Sequence, residues 1–263
     1  MKYTLLEMVQ EILSDMDSDN VNSYMDTFES EQVAQIIKST FFSIVSNRDW
    51  PHLKQLTSLT PSGSLSLPTH MYLEEGVTKL VSVNYNCAKV GETRRFYRPV
   101  EWREPDNFLQ LTNAQNSDTG FVDVIVDPSG IELLIRNNQN PTYFTSFDDK
   151  TLVFNSYDSD TDDTLQESKV QAQAYIMPGW EMVDTFVPDL PAEAFIALVE
   201  EAKSRAMLRL KQMEDPKAEQ ESRRQQRWLS RNDWRVKGGI KTPNYGRKAN
   251  KMRREPTFER NDY

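Results

Sequence analysis

Residues 188–216 read PDLPAEAFIALVEEAKSRAMLRLKQMEDP, and their spacing decides the fold class. Phe195, Leu198, Val199, Ala202, Ala206, Leu210 and Met213 recur every three or four positions, one apolar stripe of an amphipathic helix. Pro188 and Pro191 precede it, and Asp215-Pro216 should break or kink it, because proline lacks the N–H that a helix interior needs. Lys217–Arg231 can continue as a highly charged helix, poor in core residues until Trp228 and Leu229. Such a stripe has to be buried against another apolar face.

The N-terminal region supplies two such faces. Leu5, Val9, Ile12, Leu13 and Met16 predict a helix over residues 4–16, ended by the polar stretch Asp15–Asn22. A second helix is expected from Asp26 or Thr27, with Glu29 placed as a capping partner of Asp26. Its stripe is Val33, Ile36, Ile37, Phe41, Ile44 and Val45, and Pro51 stops it by disfavouring helical backbone at Trp50. Between the helical regions the periodicity changes. Short β-prone runs alternate with turn residues at Met71–Leu73, Leu80–Tyr85, Thr93–Val100, Phe121–Val126, Ile131–Ile135, Tyr143–Phe147, Leu152–Asn155 and Val170–Ile176. Asp127-Pro128-Ser129-Gly130 joins two of them at hairpin spacing, and Asn107–Asn113 can form a helical turn. The expected class is therefore α+β. A helical bundle forms from an N-terminal hairpin (1–58) and a long C-terminal helix (189–232). An antiparallel β-sandwich or barrel is inserted at 59–188, and an extended basic arm closes the chain at 233–263.

Charge divides the chain as sharply as periodicity does. Residues 217–263 hold 14 Lys and Arg against 6 Asp and Glu, a balance of +8, whereas residues 1–216 hold 17 against 34, a balance of −17. Only 38% of the 263 residues are hydrophobic and mean hydropathy is −0.67, polar for a self-contained globule of this length. Part of the apolar surface is then expected to be shared with neighbouring subunits. No run approaches the roughly 20 apolar residues of a membrane span, and the N-terminus has no signal-peptide core, so no membrane association is expected. Cys87 is the single cysteine and excludes an intramolecular disulfide, in keeping with synthesis in a reducing cytoplasm.

Catalytic chemistry is poorly supplied, and the chain is read as not an enzyme. His52 follows a helix-ending proline and His70 opens a strand, and neither belongs to a nucleophile motif. Asp15, Asp17, Asp19 and Asp26 imitate the spacing of a calcium loop. Position six is Asn20 instead of glycine and position twelve is Asp instead of glutamate, so a solvated turn is the better reading. Asp158, Asp160, Asp162 and Asp163 lack the same features. There is no phosphate-binding glycine loop, CxxC pair or dinucleotide fingerprint, and no cofactor is expected. A β-domain hydrolase or lectin-like binder would have to draw on Asp148, Asp149 and Asp158.

Binding chemistry concentrates in the basic tail, where Arg224, Arg227, Arg231, Arg235, Lys237, Lys241 and Arg247 interleave with Trp228, Trp234 and Tyr245. Trp, Tyr and Arg dominate protein–protein hot spots, so these ten residues are the candidate partner-binding set. The same mixture can grip phosphates and stack bases, which keeps a nucleic-acid-binding packaging or regulatory module as the alternative.

Four stretches carry a family resemblance: Ile44–Pro51 (IVSNRDWP), Thr145–Tyr157 (TSFDDKTLVFNSY), Asp184–Phe195 (DTFVPDLPAEAF) and Gln225–Gly246 (QQRWLSRNDWRVKGGIKTPNYG). Through them the chain resembles the head-to-tail adaptors of short-tailed bacteriophages, also called tail tubular protein A or head–tail connector proteins. The resemblance implies a structural virion protein at the head–tail junction, assembled in the host cytoplasm. It implies a dodecameric ring of identical subunits that binds the portal protein through the C-terminal arm and the tail nozzle protein on its other side. Genomic DNA would pass through its channel without sequence-specific binding. Little beyond residue 250 belongs to the pattern.

Overall fold

The computed structural model of the chain describes residues 2–89, 91–118, 120–158 and 169–231, and the expected extended arm, 233–263, lies outside them. Two helices open the fold, α1 (Leu5–Asp15) and α2 (Phe28–Ser46). Thr4 accepts the Glu7 N–H at 3.2 Å while Glu7 accepts the Thr4 N–H at 2.8 Å, a reciprocal cap that fixes where α1 starts. Thr27 and Ser30 cap α2 in the same way, not the expected Asp26 and Glu29. Asp26 instead accepts the backbone N–H groups of Asn22 and Ser23 at 2.7 and 2.9 Å and folds the turn before the helix.

The helical layer is completed by α4 (Ala194–Ala206), a π turn over Met207–Lys211, and α5 (Pro216–Arg231), with a short α3 (Pro105–Asn113) in the β region. The expected bundle of an N-terminal hairpin with one long C-terminal helix is not what forms. The C-terminal helix is interrupted: the π turn loosens its last hydrogen bonds, Gln212 takes the left-handed conformation (φ 55°), and the chain folds back so that α5 lies along α4. Leu210 and Met213, assigned to the stripe by spacing, fall in this reversal, and Met213 is exposed. Residues 180–190 strap the layer together. Leu5 and Leu6 donate to the carbonyls of Phe186 and Asp184, Tyr24 donates its hydroxyl to Met182 O at 2.8 Å, and Trp180 packs at a tilt against Phe41 and edge-on against Phe186.

The β region also departs from expectation, since it is neither a sandwich nor wholly antiparallel. It contains β1 (Lys54–Thr57), β2 (Thr60–Pro61), β3 (His70–Tyr72), β4 (Val77–Asn86), β5 (Tyr97–Trp102), β6 (Val122–Val126), β7 (Glu132–Arg136), β8 (Tyr143–Ser146), β9 (Thr151–Phe154) and β10 (Val170–Ile176). Eight of these make one curled sheet in the order β1-β10-β4-β5-β8-β9-β3-β2, in which β5 and β8 run parallel. The curl is filled by Leu59, Met71, Val83, Tyr85, Val100, Phe144, Leu152 and Phe154. β6 and β7 form a separate hairpin, and its Ile125, Leu133 and Ile135 pack with Phe108 of α3 and Val153 of β9. Tyr175 and Met177, at the end of β10, reach across to the helical core.

Candidate docking face on the C-terminal helix

Asp215 and Pro216 set the start of α5. The Asp215 carboxylate accepts the N–H groups of Lys217 and Ala218, both at 3.1 Å, and Pro216 supplies a first helical residue that needs no donor. One side of the helix is then seated. Ala218, Ser222 and Leu229 are buried, and the Ser222 hydroxyl donates to Glu201 Oε2 of α4 at 2.8 Å. The same carboxylate pairs at 3.1 Å with Arg205, whose guanidinium extends to Thr40 and Ser43 of α2. A half-buried polar network therefore ties α2, α4 and α5 together.

An exposed flank of the helix carries the candidate residues. Arg224, Arg227 and Trp228 lie three and four positions apart, so they share a face. Trp228 is 45% exposed, although an indole ordinarily buries most of its surface. Arg223 is tied to Glu219 and Arg224 to Glu221, the latter at 3.5 Å, whereas Arg227 has no ion-pair partner among the described residues. Together they border an open groove of about 1090 Å³ whose far wall includes Glu200, Lys203 and Asp215. That wall is electrostatically crowded. Burial, and then the charge of Asp15, raises the Glu11 carboxyl pKa, and burial likewise raises that of Glu200. Burial pulls the Lys203 ammonium down, but its 2.7 Å bond to Asp15 and the charges of Glu200 and Asp215 outweigh this and hold its pKa above the usual value.

Of the ten candidate residues, the structure brings together Arg224, Arg227 and Trp228 on α5. Arg231 ends the same helix, and Trp234, Arg235, Lys237, Lys241, Tyr245 and Arg247 lie outside the described residues. The imitation calcium loop does not converge: Asp15 is engaged with Lys203 and Asp26 with its own turn, and no cluster of three or more metal-ligating side chains occurs among the described residues. Asp160, Asp162 and Asp163 lie outside them. Asp148 is occupied locally, accepting the N–H groups of Lys150 (3.0 Å) and Thr151 (2.6 Å) and the Thr151 hydroxyl; these bonds overcome its burial and lower its pKa. Asp149 follows it in the left-handed region, φ 58°, at the tip of the β8–β9 hairpin. His52 bonds to Asp189 O at 3.1 Å.

One constellation was invisible to sequence reasoning. His70 is buried on β3, and its Nε2 lies 3.0 Å from Asp127 Oδ1, 57 positions away in the turn between β6 and β7. Ser129 donates both its N–H (2.9 Å) and its hydroxyl (2.5 Å) to the other Asp127 oxygen. Burial raises the Asp127 pKa, but the Ser129 and His70 bonds prevail and hold it below the usual carboxylate value. The serine bonds the aspartate and not the imidazole, so this is a clasp between hairpin and sheet without an activated nucleophile. Only the Asp-Pro-Ser-Gly turn hinted at it.

No helix among the described residues is long and apolar enough to cross a membrane. No family model matches the chain, and no curated protein matches it.

Proposed function

We propose that the chain is a structural virion protein of a short-tailed bacteriophage, the subunit of a ring that joins the portal to the tail nozzle. The portal contact runs through the α5 face and the basic arm that follows it. The observation that carries this reading is a half-exposed Trp228 beside Arg227, which has no ion-pair partner among the described residues, on a helix whose inner side is firmly seated. A seated helix presenting an indole and a guanidinium has the anatomy of a hot spot, because the indole buries a large area at the cost of few rotamers and the guanidinium offers a planar fork of donors. The charge division supports it too: an acidic body lining a channel repels the DNA backbone and leaves it free to slide.

Cosedimentation of the full chain with isolated portal rings tests the contact. Trp228→Ala and Arg227→Ala are each expected to weaken binding about 30-fold, the equivalent of about 2 kcal/mol. Full binding by the double variant would remove this face from the contact. A chain that instead binds duplex DNA, with affinity falling steeply as salt rises, would favour the nucleic-acid module.

A further inference from the structure

In the curled sheet one edge of β4 is left partly unpaired among the described residues. Along one edge β4 pairs with β10 throughout, from Val77↔Ile176 to Tyr85↔Val170. Along its other edge β4 pairs with β5 only over Val83–Asn86, so among the described residues no strand pairs with Val77–Ser82 on that side. Two register shifts explain the parting. Thr78 and Val81 are extra residues in β4 relative to β10, and such bulges twist a strand away from its neighbour. Past Val100, β5 stays with β8 through Glu101 and Trp102. A cleft of about 650 Å³ opens between the parted strands.

The cleft has the chemistry of a strand-addition site. Its open edge of six residues is about 20 Å long. Its lining is mixed: Leu73, Leu80, Val100, Trp102, Phe144 and Leu152 stand beside Thr78, Ser82 and Ser146, while Val81 and Trp102 are 42% and 46% exposed. The surroundings are acidic. Glu74 and Glu75 lead into β4 and Asp149 lines the opposite wall, while Lys79 and Arg103 are already tied to Asp49 and Glu101. An unpaired strand edge of this length is ordinarily covered or charged in a folded protein.

We infer that this cleft receives the start of the C-terminal arm of a second copy of the chain, residues 234–237, as an added β-strand. Trp234-Arg235-Val236-Lys237 alternates large apolar and basic side chains with the two-residue period of a strand. In that register Trp234 and Val236 meet the apolar side chains of the cleft, and Arg235 and Lys237 face the acidic rim. The arm also has the charge, since residues 232–263 hold nine basic against four acidic side chains. Only residues 232 and 233 separate the strand from α5, so the receiving cleft has to lie within about 10 Å of the end of that helix in the neighbouring copy. The inference rests on the ring reading and deepens it: the arm first staples its neighbour, and its later residues remain for the portal.

Disulfide trapping in the full chain, carrying Cys87→Ser and mixed with portal rings, tests the staple. Val81→Cys or Ser82→Cys is combined with Arg235→Cys or Lys237→Cys. The expected result is a ladder of covalent oligomers under mild oxidation in at least one register, with yield falling about tenfold on adding Trp234→Ala and unchanged by Met252→Ala. Rings that assemble without cross-links in any of the four pairings overturn the staple while leaving the ring reading intact. Cross-links confined to monomers overturn the choice of a second copy. A chain that forms no ring at all refutes both.

Discussion

Leu229 and Trp228 are adjacent in α5, yet the structure assigns them opposite roles, and substituting each by alanine separates the two. Leu229 is 5% exposed and joins the helical core, while Trp228 is 45% exposed and borders the groove. Truncating a buried leucine removes its transfer free energy and leaves a cavity, about 2–4 kcal/mol in a site of this burial. Among the described side chains of α5 the other buried ones are Ala218 and Ser222, so this loss falls on the attachment of one helix. Hydrogen exchange is the suitable assay. In Leu229→Ala the α5 amides, Ala218–Arg231, should exchange about 30- to 900-fold faster, with α1 and α2 unchanged. Trp228→Ala should leave exchange unchanged, as exposed substitutions shift stability by under about 0.5 kcal/mol, while weakening portal binding. Equal exchange effects from both, or acceleration spread evenly over the chain, would refute the division of α5 into a seated and a free side.

Other consequences follow from individual residues. Ser222→Ala removes a buried bond to a carboxylate that keeps its Arg205 partner, so it should destabilise by about 1–2 kcal/mol, read as a lower denaturation midpoint at unchanged m-value. Gln212→Gly relieves a left-handed conformation at a non-glycine residue and should stabilise by about 0.5–1 kcal/mol in the same assay. Asp127 and Asp148 have lowered folded pKa values, so their contribution is present above the unfolded value of 3.8 and is lost as pH falls through the folded one. Asp127→Asn should therefore flatten the acid limb of the stability profile below about pH 4; an unchanged limb contradicts the clasp. Glu200 has a raised pKa, so its sign is reversed: stability grows as pH falls from the folded value towards 4.5, and Glu200→Gln should stabilise at neutral pH.

What the sequence revealed was local. The stripe of Leu5, Val9, Ile12 and Leu13 and the Asp215-Pro216 punctuation act over a few residues, and both are found at α1 and α5. Gln212 carried no signal, because a left-handed turn without glycine is stabilised by the packing of α5 on α4, and that packing is not written in propensity. The helix stripe accordingly ran on past its true end. The sheet was misread for a related reason. Strand order depends on pairings such as Lys54↔Tyr175 and Glu101↔Tyr143, far apart in the chain, and neither alternation nor turn residues specify them. β1 and β2, only four and two residues long, fall below the length at which a period can be seen. Of the docking face, charge and aromatic content were legible, but which side of α5 stays free was not. That depended on Ser222 meeting Glu201, a small polar residue with no periodic signature.

The most direct test of the account is imaging the full-length chain mixed with isolated portal rings, beside a chain ending at residue 232. The account predicts a second ring of identical subunits stacked on the portal with the full chain, and its loss or severe depletion with the shortened one. Portal rings that stay bare in the presence of folded full-length chain would contradict it.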